Sequence, residues 1–109
     1  MSVTFSIGER VDTDDPDSFI NLANRNAADL LAWLGLSTDD LLGQMPARQL
    51  ASRCRRRLWP EQRNFDPPLP DEIAGRCHTF GRPAGYLRDR TADLLCLAER
   101  AGDGVISWG

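Results

Sequence analysis

The two ends of this chain carry the same signature. Val3-Thr4-Phe5-Ser6-Ile7 alternates apolar and polar residues, and Val105-Ile106-Ser107-Trp108 reads as a second short strand. Period-two alternation places one apolar face on a strand. Segments this short are not stable alone, and an isolated pair is marginal without a covering layer. The terminal strands are therefore expected to pair with each other beneath helices supplied by the intervening chain. Thr79-Phe80, in the weaker strand pattern Cys77-His78-Thr79-Phe80, is placed beside them. The predicted class is α+β, with about four helices packed on a small sheet that joins the N- and C-terminal strands.

At 109 residues the chain has room for one core, so residues 1–109 read as a single domain. A hydrophobic fraction of 41% separates it from disordered sequences and lets it fold without a metal or a disulfide framework. The first helix is predicted over Asn21 to Leu34. Ala27, Leu30, Leu31 and Leu34 recur at i, i+3, i+4 and i+7, which puts them on one face. Asp15, Asn21 and Asn24 each have a side chain suited to its N-cap, and Gly35-Leu36 supplies the stop. A second, short helical turn is expected from Ser37 through Leu42, closed by Gly43.

The third helix begins near Pro46, buries Ala47, Leu50, Ala51, Cys54 and Leu58, and stops at Pro60. Four prolines between residues 60 and 70 make that stretch a surface loop. The last helix is expected from Ala84 to Ala101, ended by Gly102 and the turn dipeptide Asp103-Gly104.

Charge is distributed unevenly. All 13 basic residues are arginine, which excludes lysine Schiff-base, P-loop-lysine and lysine-base chemistry. Residues 48–63 hold six of them, Arg48, Arg53, Arg55, Arg56, Arg57 and Arg63, with one acid, whereas the whole chain carries a net charge of −3. On the third helix these arginines lie away from the Leu50/Cys54/Leu58 stripe and form a guanidinium-rich outer face. The planar guanidinium fork matches a carboxylate or a phosphate. Solvent or the Asp12–Asp17 segment is the simplest counterbalance to this face. An acidic surface on a partner protein comes next, and nucleic acid or a phosphorylated ligand follows, because one short basic helix on an acidic chain is a small footprint.

Other chemistry-bearing groups lead to no site. Cys54, Cys77, His78 and Cys96 match a Cys₃His zinc set in number but lack the paired spacing of a zinc knuckle, so no metal or cofactor is expected. Cys77 and His78, adjacent on a strand, point to opposite faces and do not form a nucleophile–base pair. Asp39/Asp40 and Asp71/Glu72 fall in turns or caps. Gly81-Arg82-Pro83-Ala84-Gly85-Tyr86 matches neither a Walker A loop nor a dinucleotide fingerprint, although Arg82 and Arg88 stand where they could assist an anion at the start of the last helix. Three cysteines without a secreted-scaffold spacing, and no apolar run of membrane-spanning length, point to the cytoplasm and away from the membrane. Trp33, Trp59 and Trp108 read as core or near-core residues. Trp59, beside the proline-rich loop, is also a candidate anchor for a partner.

Asn21-Leu22-Ala23-Asn24-Arg25-Asn26-Ala27 with Leu30-Leu31 and Leu34-Gly35-Leu36, Arg53-Cys54-Arg55-Arg56-Arg57-Leu58-Trp59, and Arg82-Pro83-Ala84-Gly85-Tyr86-Leu87 resemble segments of small uncharacterised proteins of actinobacteria and their phages. The resemblance covers about a third of the chain, implies such a source, and carries no activity or site residue with it. The residues themselves favour a non-enzymatic, intracellular binding or accessory protein acting through protein–protein contacts. Its surface candidates are Arg48, Arg55, Arg56, Trp59, Arg63, Arg82 and Arg88. A nucleic-acid or phosphate-ligand binder using the Arg-rich helix is the alternative, and a homodimer is compatible with either.

Overall fold

The computed structural model describes residues 2–8, 15–39, 41–58, 68–74, 77–79 and 81–109. The chain runs β1 (Ser2–Ile7), a 3-10 turn (Pro16–Ser18), β2 (Phe19–Ala23), α1 (Asn24–Trp33), β3 (Gly43–Pro46) and α2 (Ala47–Leu58). It continues through β4 (Glu72–Ala74), β5 (Cys77–Thr79), α3 (Tyr86–Ala101) and β6 (Val105–Trp108). The main sheet is four-stranded and antiparallel, in the order β2-β1-β6-β3.

The terminal strands pair as their alternation predicts, with Phe5 opposite Trp108 and Ile7 opposite Ile106. Val3, Phe5, Leu22, Ile106 and Trp108 enter the core from the strands, where they join apolar residues of all three helices. Phe5, Leu30, Leu31, Leu50, Leu94 and Ile106 are fully buried. Burial of this kind is the main favourable term, roughly 1.5–3 kcal/mol for each large side chain. The alternate residues of the strands, among them Thr4, Asn21, Gln44 and Ser107, lie on the opposite face of the sheet. Asn21 holds two of its neighbours there, donating from Nδ2 to Ser2 Oγ at 3.0 Å and to Thr4 Oγ1 at 2.8 Å.

Several expectations require correction. There are three α-helices among the described residues, where about four were expected. Ser37 does form its cap-like bond, accepting at 3.4 Å from the Asp39 N–H, but no helix follows it. Leu41 takes φ 49°, and Gly43–Pro46 then joins the sheet as β3. One turn cannot offset the cost of helix nucleation when the next residues gain ladder bonds to β6.

The first helix starts at Asn24, three residues beyond its expected origin, because every residue of Phe19–Ala23 is paired with Ser2–Ser6 of β1. None of the three cap candidates serves α1. Its N-cap is Ala23, Asn21 sits within β2, and Asp15 instead caps the 3-10 turn by accepting from the Asp17 N–H. The stop is as expected. Gly35 has φ 75°, and Leu36 N–H donates to Leu31 O at 2.8 Å, which closes a Schellman-type end.

Cys77–Thr79 is a strand, but it pairs with β4 in a separate two-stranded sheet, not beside the terminal strands. A partner only a few residues away closes a much smaller loop than the distant termini do. α3 begins at Tyr86, two residues later than expected, after Gly85 in the left-handed region. The Pro60 stop and most of the proline-rich loop lie outside the described residues. No described helix is long and apolar enough to cross a membrane.

Candidate functional site

The arginines of α2 separate into two sets, because a helix turns 100° per residue: one side of α2 borders α3, and another sends its side chains to the end of α1. Arg48 and Arg55, seven residues apart, face α3. Arg48 pairs with Asp103 just past the end of α3, and Arg55 Nη2 lies 3.3 Å from Glu99 Oε1. Both pairs are largely solvent-exposed, so each contributes little to stability, about 0.2–1 kcal/mol. Their effect is local: each guanidinium has a carboxylate beside it.

The other set faces the C-terminal end of α1. Arg53 Nη1 donates to Leu34 O at 3.0 Å and to Gly35 O at 3.4 Å. Arg57 Nε donates to Trp33 O, and its guanidinium lies 5.1 Å from the centroid of the Trp33 ring. The last carbonyls of a helix have no intrahelical donor and carry the negative end of its dipole, so arginine is well suited to meet them. Arg56, one turn from Arg53, is exposed and completes a hollow of about 250 Å³ lined by Leu34, Gly35, Arg53, Arg56 and Arg57.

Guanidinium carries five N–H donors. Arg53 uses Nη1 and Arg57 uses Nε on α1, which leaves donors of both, and all of those on Arg56, for a ligand in the hollow. Among the described residues no carboxylate pairs with any of these three arginines.

The remaining candidates are dispersed. Trp59 and Arg63 lie outside the described residues. Arg82 does not extend the positive face. Its side chain is only 8% exposed, with Nη1 held 2.6 Å from Asp29 Oδ2 and 3.2 Å from Asn26 Oδ1. It joins the β4/β5 region to α1, assisted by the paired backbone bonds between Leu69 and Arg82. Arg88 Nη2 donates to Leu58 O at 3.4 Å, across the end of α2.

Cys54 behaves as a small hydrophobe, and Cys96 is a free surface thiol. Burial pushes the Cys54 thiol up to about 12, with nearby Arg55 opposing that rise only weakly. Cys96 is exposed on α3. No group of three or more His, Cys, Asp or Glu side chains among the described residues is arranged to hold a metal.

Arg53, Arg57 and Trp33 are the site residues that a reading by charge alone does not single out. Arg53 and Arg57 are i, i+4 on α2, which is a sequence signal for a shared face. That this face meets the end of α1 is not. No known protein family matches the chain, and neither curated proteins nor solved structures show a match to it.

Proposed function

We propose that this chain is a non-enzymatic accessory protein that binds an acidic segment of a partner protein at the hollow formed by Arg53, Arg56 and Arg57. One observation carries this reading. Three guanidiniums converge on one hollow with no carboxylate partner among the described residues, whereas Arg48 and Arg55 of the same helix are each paired. A carboxylate entering the hollow would accept from the donors left over after the α1 carbonyls are satisfied. Charge-assisted bonds of this kind are about twice as strong as neutral ones. The walls are also preorganised: Arg53 and Arg57 are already held, so little side-chain freedom is lost on binding.

The nucleic-acid or phosphate alternative would use the same arginines. With Arg82 engaged by Asp29 and Arg88 by Leu58 O, the positive area narrows to one small hollow on a chain of net charge −3. A duplex or a long single strand gains affinity from many phosphate contacts spread along its length, which one hollow does not offer.

Fluorescence anisotropy with a labelled Asp/Glu-rich peptide, and with single-stranded DNA of the same net charge, tests the proposal. The peptide is expected to bind at low salt. Arg56→Glu should weaken it about tenfold, equivalent to ~1.4 kcal/mol. Arg48→Glu, on the other side of α2, should leave the affinity nearly unchanged. No peptide binding at millimolar concentration, or equal loss in both variants, would overturn the proposal. DNA binding weakened by Arg56→Glu, with no peptide binding, would replace it by the phosphate alternative.

A further inference from the structure

The sheet has two edges, and they are not alike. β3 is the shorter one, four residues ending in Pro46, which has no N–H to offer a neighbouring strand. β2 is the other, Phe19-Ile20-Asn21-Leu22-Ala23, in unbroken register with β1. It contains no charge, no proline and no bulge, the features that ordinarily protect a sheet edge. In an antiparallel strand every second residue turns its N–H and C=O away from the existing partner. Among the described residues no strand pairs with β2 on that outer side.

We infer that β2 pairs with β2 of a second copy of this chain, antiparallel about a two-fold axis at Asn21. The register follows from the sequence. Phe19 stands opposite Ala23 of the second copy, Ile20 opposite its Leu22, and Asn21 opposite its Asn21. On the outer face a bulky side chain meets a small one, while the helix-facing positions match two aliphatics, so the strand complements itself. A symmetric interface requires this of any patch that it uses.

The surroundings satisfy the same condition. A groove of about 660 Å³ runs between β2 and α3, and Asp17, Arg90, Asp93 and Arg100 line it. Arg90 pairs with Asp93 at 2.9 Å and Arg100 with Asp15 within the chain, so the rim of the groove is charge-balanced and two copies can meet there without the repulsion that a face of one sign would bring. Joining the two β2 strands would double the four-stranded sheet and keep both Arg53/Arg56/Arg57 hollows, which lie at the far end of α1, outside the β2 contact. The surface is thus separate from the acidic-segment site, and either can fail without the other.

Sedimentation velocity of the 109-residue chain over a range of concentrations tests the inference. A species of twice the 12.1 kDa chain mass is expected at high micromolar concentration. Asn21 is exposed, so Asn21→Lys and Asn21→Asp should fold, as checked by circular dichroism, yet each should sediment as a monomer because it sets like charges face to face on the axis. Mixed in equal amounts, the two variants should recover the dimer. A wild-type chain that stays monomeric, an Asn21→Lys chain that still dimerises, or a mixture that stays monomeric would each overturn it.

Discussion

The Arg57 guanidinium lies 5.1 Å from the centroid of the Trp33 ring while its Nε donates to the Trp33 carbonyl oxygen, so one side chain of α2 holds both parts of the last residue of α1. The stack and the cap together tie two helices that are far apart in sequence. Arg57→Ala is expected to cost about 1 kcal/mol, the combined scale of an exposed cation–π contact and a capping bond. Arg57→Lys should recover less than half of this, since an ammonium cannot reproduce the planar stack. Urea denaturation followed by circular dichroism measures both. Equal stability of all three proteins would show that the contact has no energetic role.

Gly43 and Trp108 face each other across β3 and β6. A Cβ on Gly43 would stand 2.7 Å from Trp108 Cζ2 and 2.9 Å from Cε2, so the indole occupies the space that a side chain would need. Trp108 is 7% exposed and its ring centroid lies 5.9 Å from that of Phe5, which limits its retreat. Gly43→Ala should therefore cost about 1–3 kcal/mol, the range for overpacking a formed core. The urea midpoint should fall with the m-value unchanged. An alanine accepted without loss would mean that the indole shifts freely.

The pairing of the termini was legible because β1 alternates cleanly and its apolar residues need an equally apolar partner, which β6 supplies. The helical stripes of α2 and α3 were legible for the same reason at a different period. β2 was not. Ala23 stands four residues before Ala27 and seven before Leu30, so it extends the helical stripe backwards, and only pairing with β1, where it faces Ser2, decides between helix and strand. β3 has no alternation to read, since Gly43 and Pro46 are there for the neighbouring indole and for the turn into α2. The arginine concentration was plain from composition. Which of those arginines lack carboxylate partners depends on where Asp103, Glu99 and the end of α1 come to rest, and no local pattern encodes that.

Cys54 and Cys96 differ in environment enough to be told apart chemically. Cys54 is fully buried, with its thiol pushed up to about 12 by desolvation, whereas Cys96 is exposed. The thiolate is the reactive form. At pH 8 a thiol-specific alkylating reagent should modify Cys96 in the native protein and reach Cys54 only when the chain unfolds. Peptide mapping by mass spectrometry, with and without urea, separates the two. The raised folded value also predicts stability that is full below the unfolded value near 9.0 and declines as pH rises through the interval up to about 12. Rapid modification of Cys54 without denaturant would contradict both statements.

Asp15 and Arg100 join the 3-10 turn to the last turn of α3. The hydrogen bond from Arg100 holds the Asp15 carboxyl below its ordinary value of 3.8, and the Asp17 N–H adds to the effect. With the folded value lower than the unfolded one, the stabilisation is present above 3.8 and is lost as pH falls through the folded value. Wild type should therefore be more stable than Asp15→Asn near neutral pH, and the two should converge as the carboxyl becomes protonated. The pair is open to water, so raising the salt concentration should narrow the difference as well. Urea midpoints of both proteins from pH 7 down to below 3.8 test this. A gap of constant size across that range would assign the role of Asp15 to the shape of its turn, with no contribution from its charge.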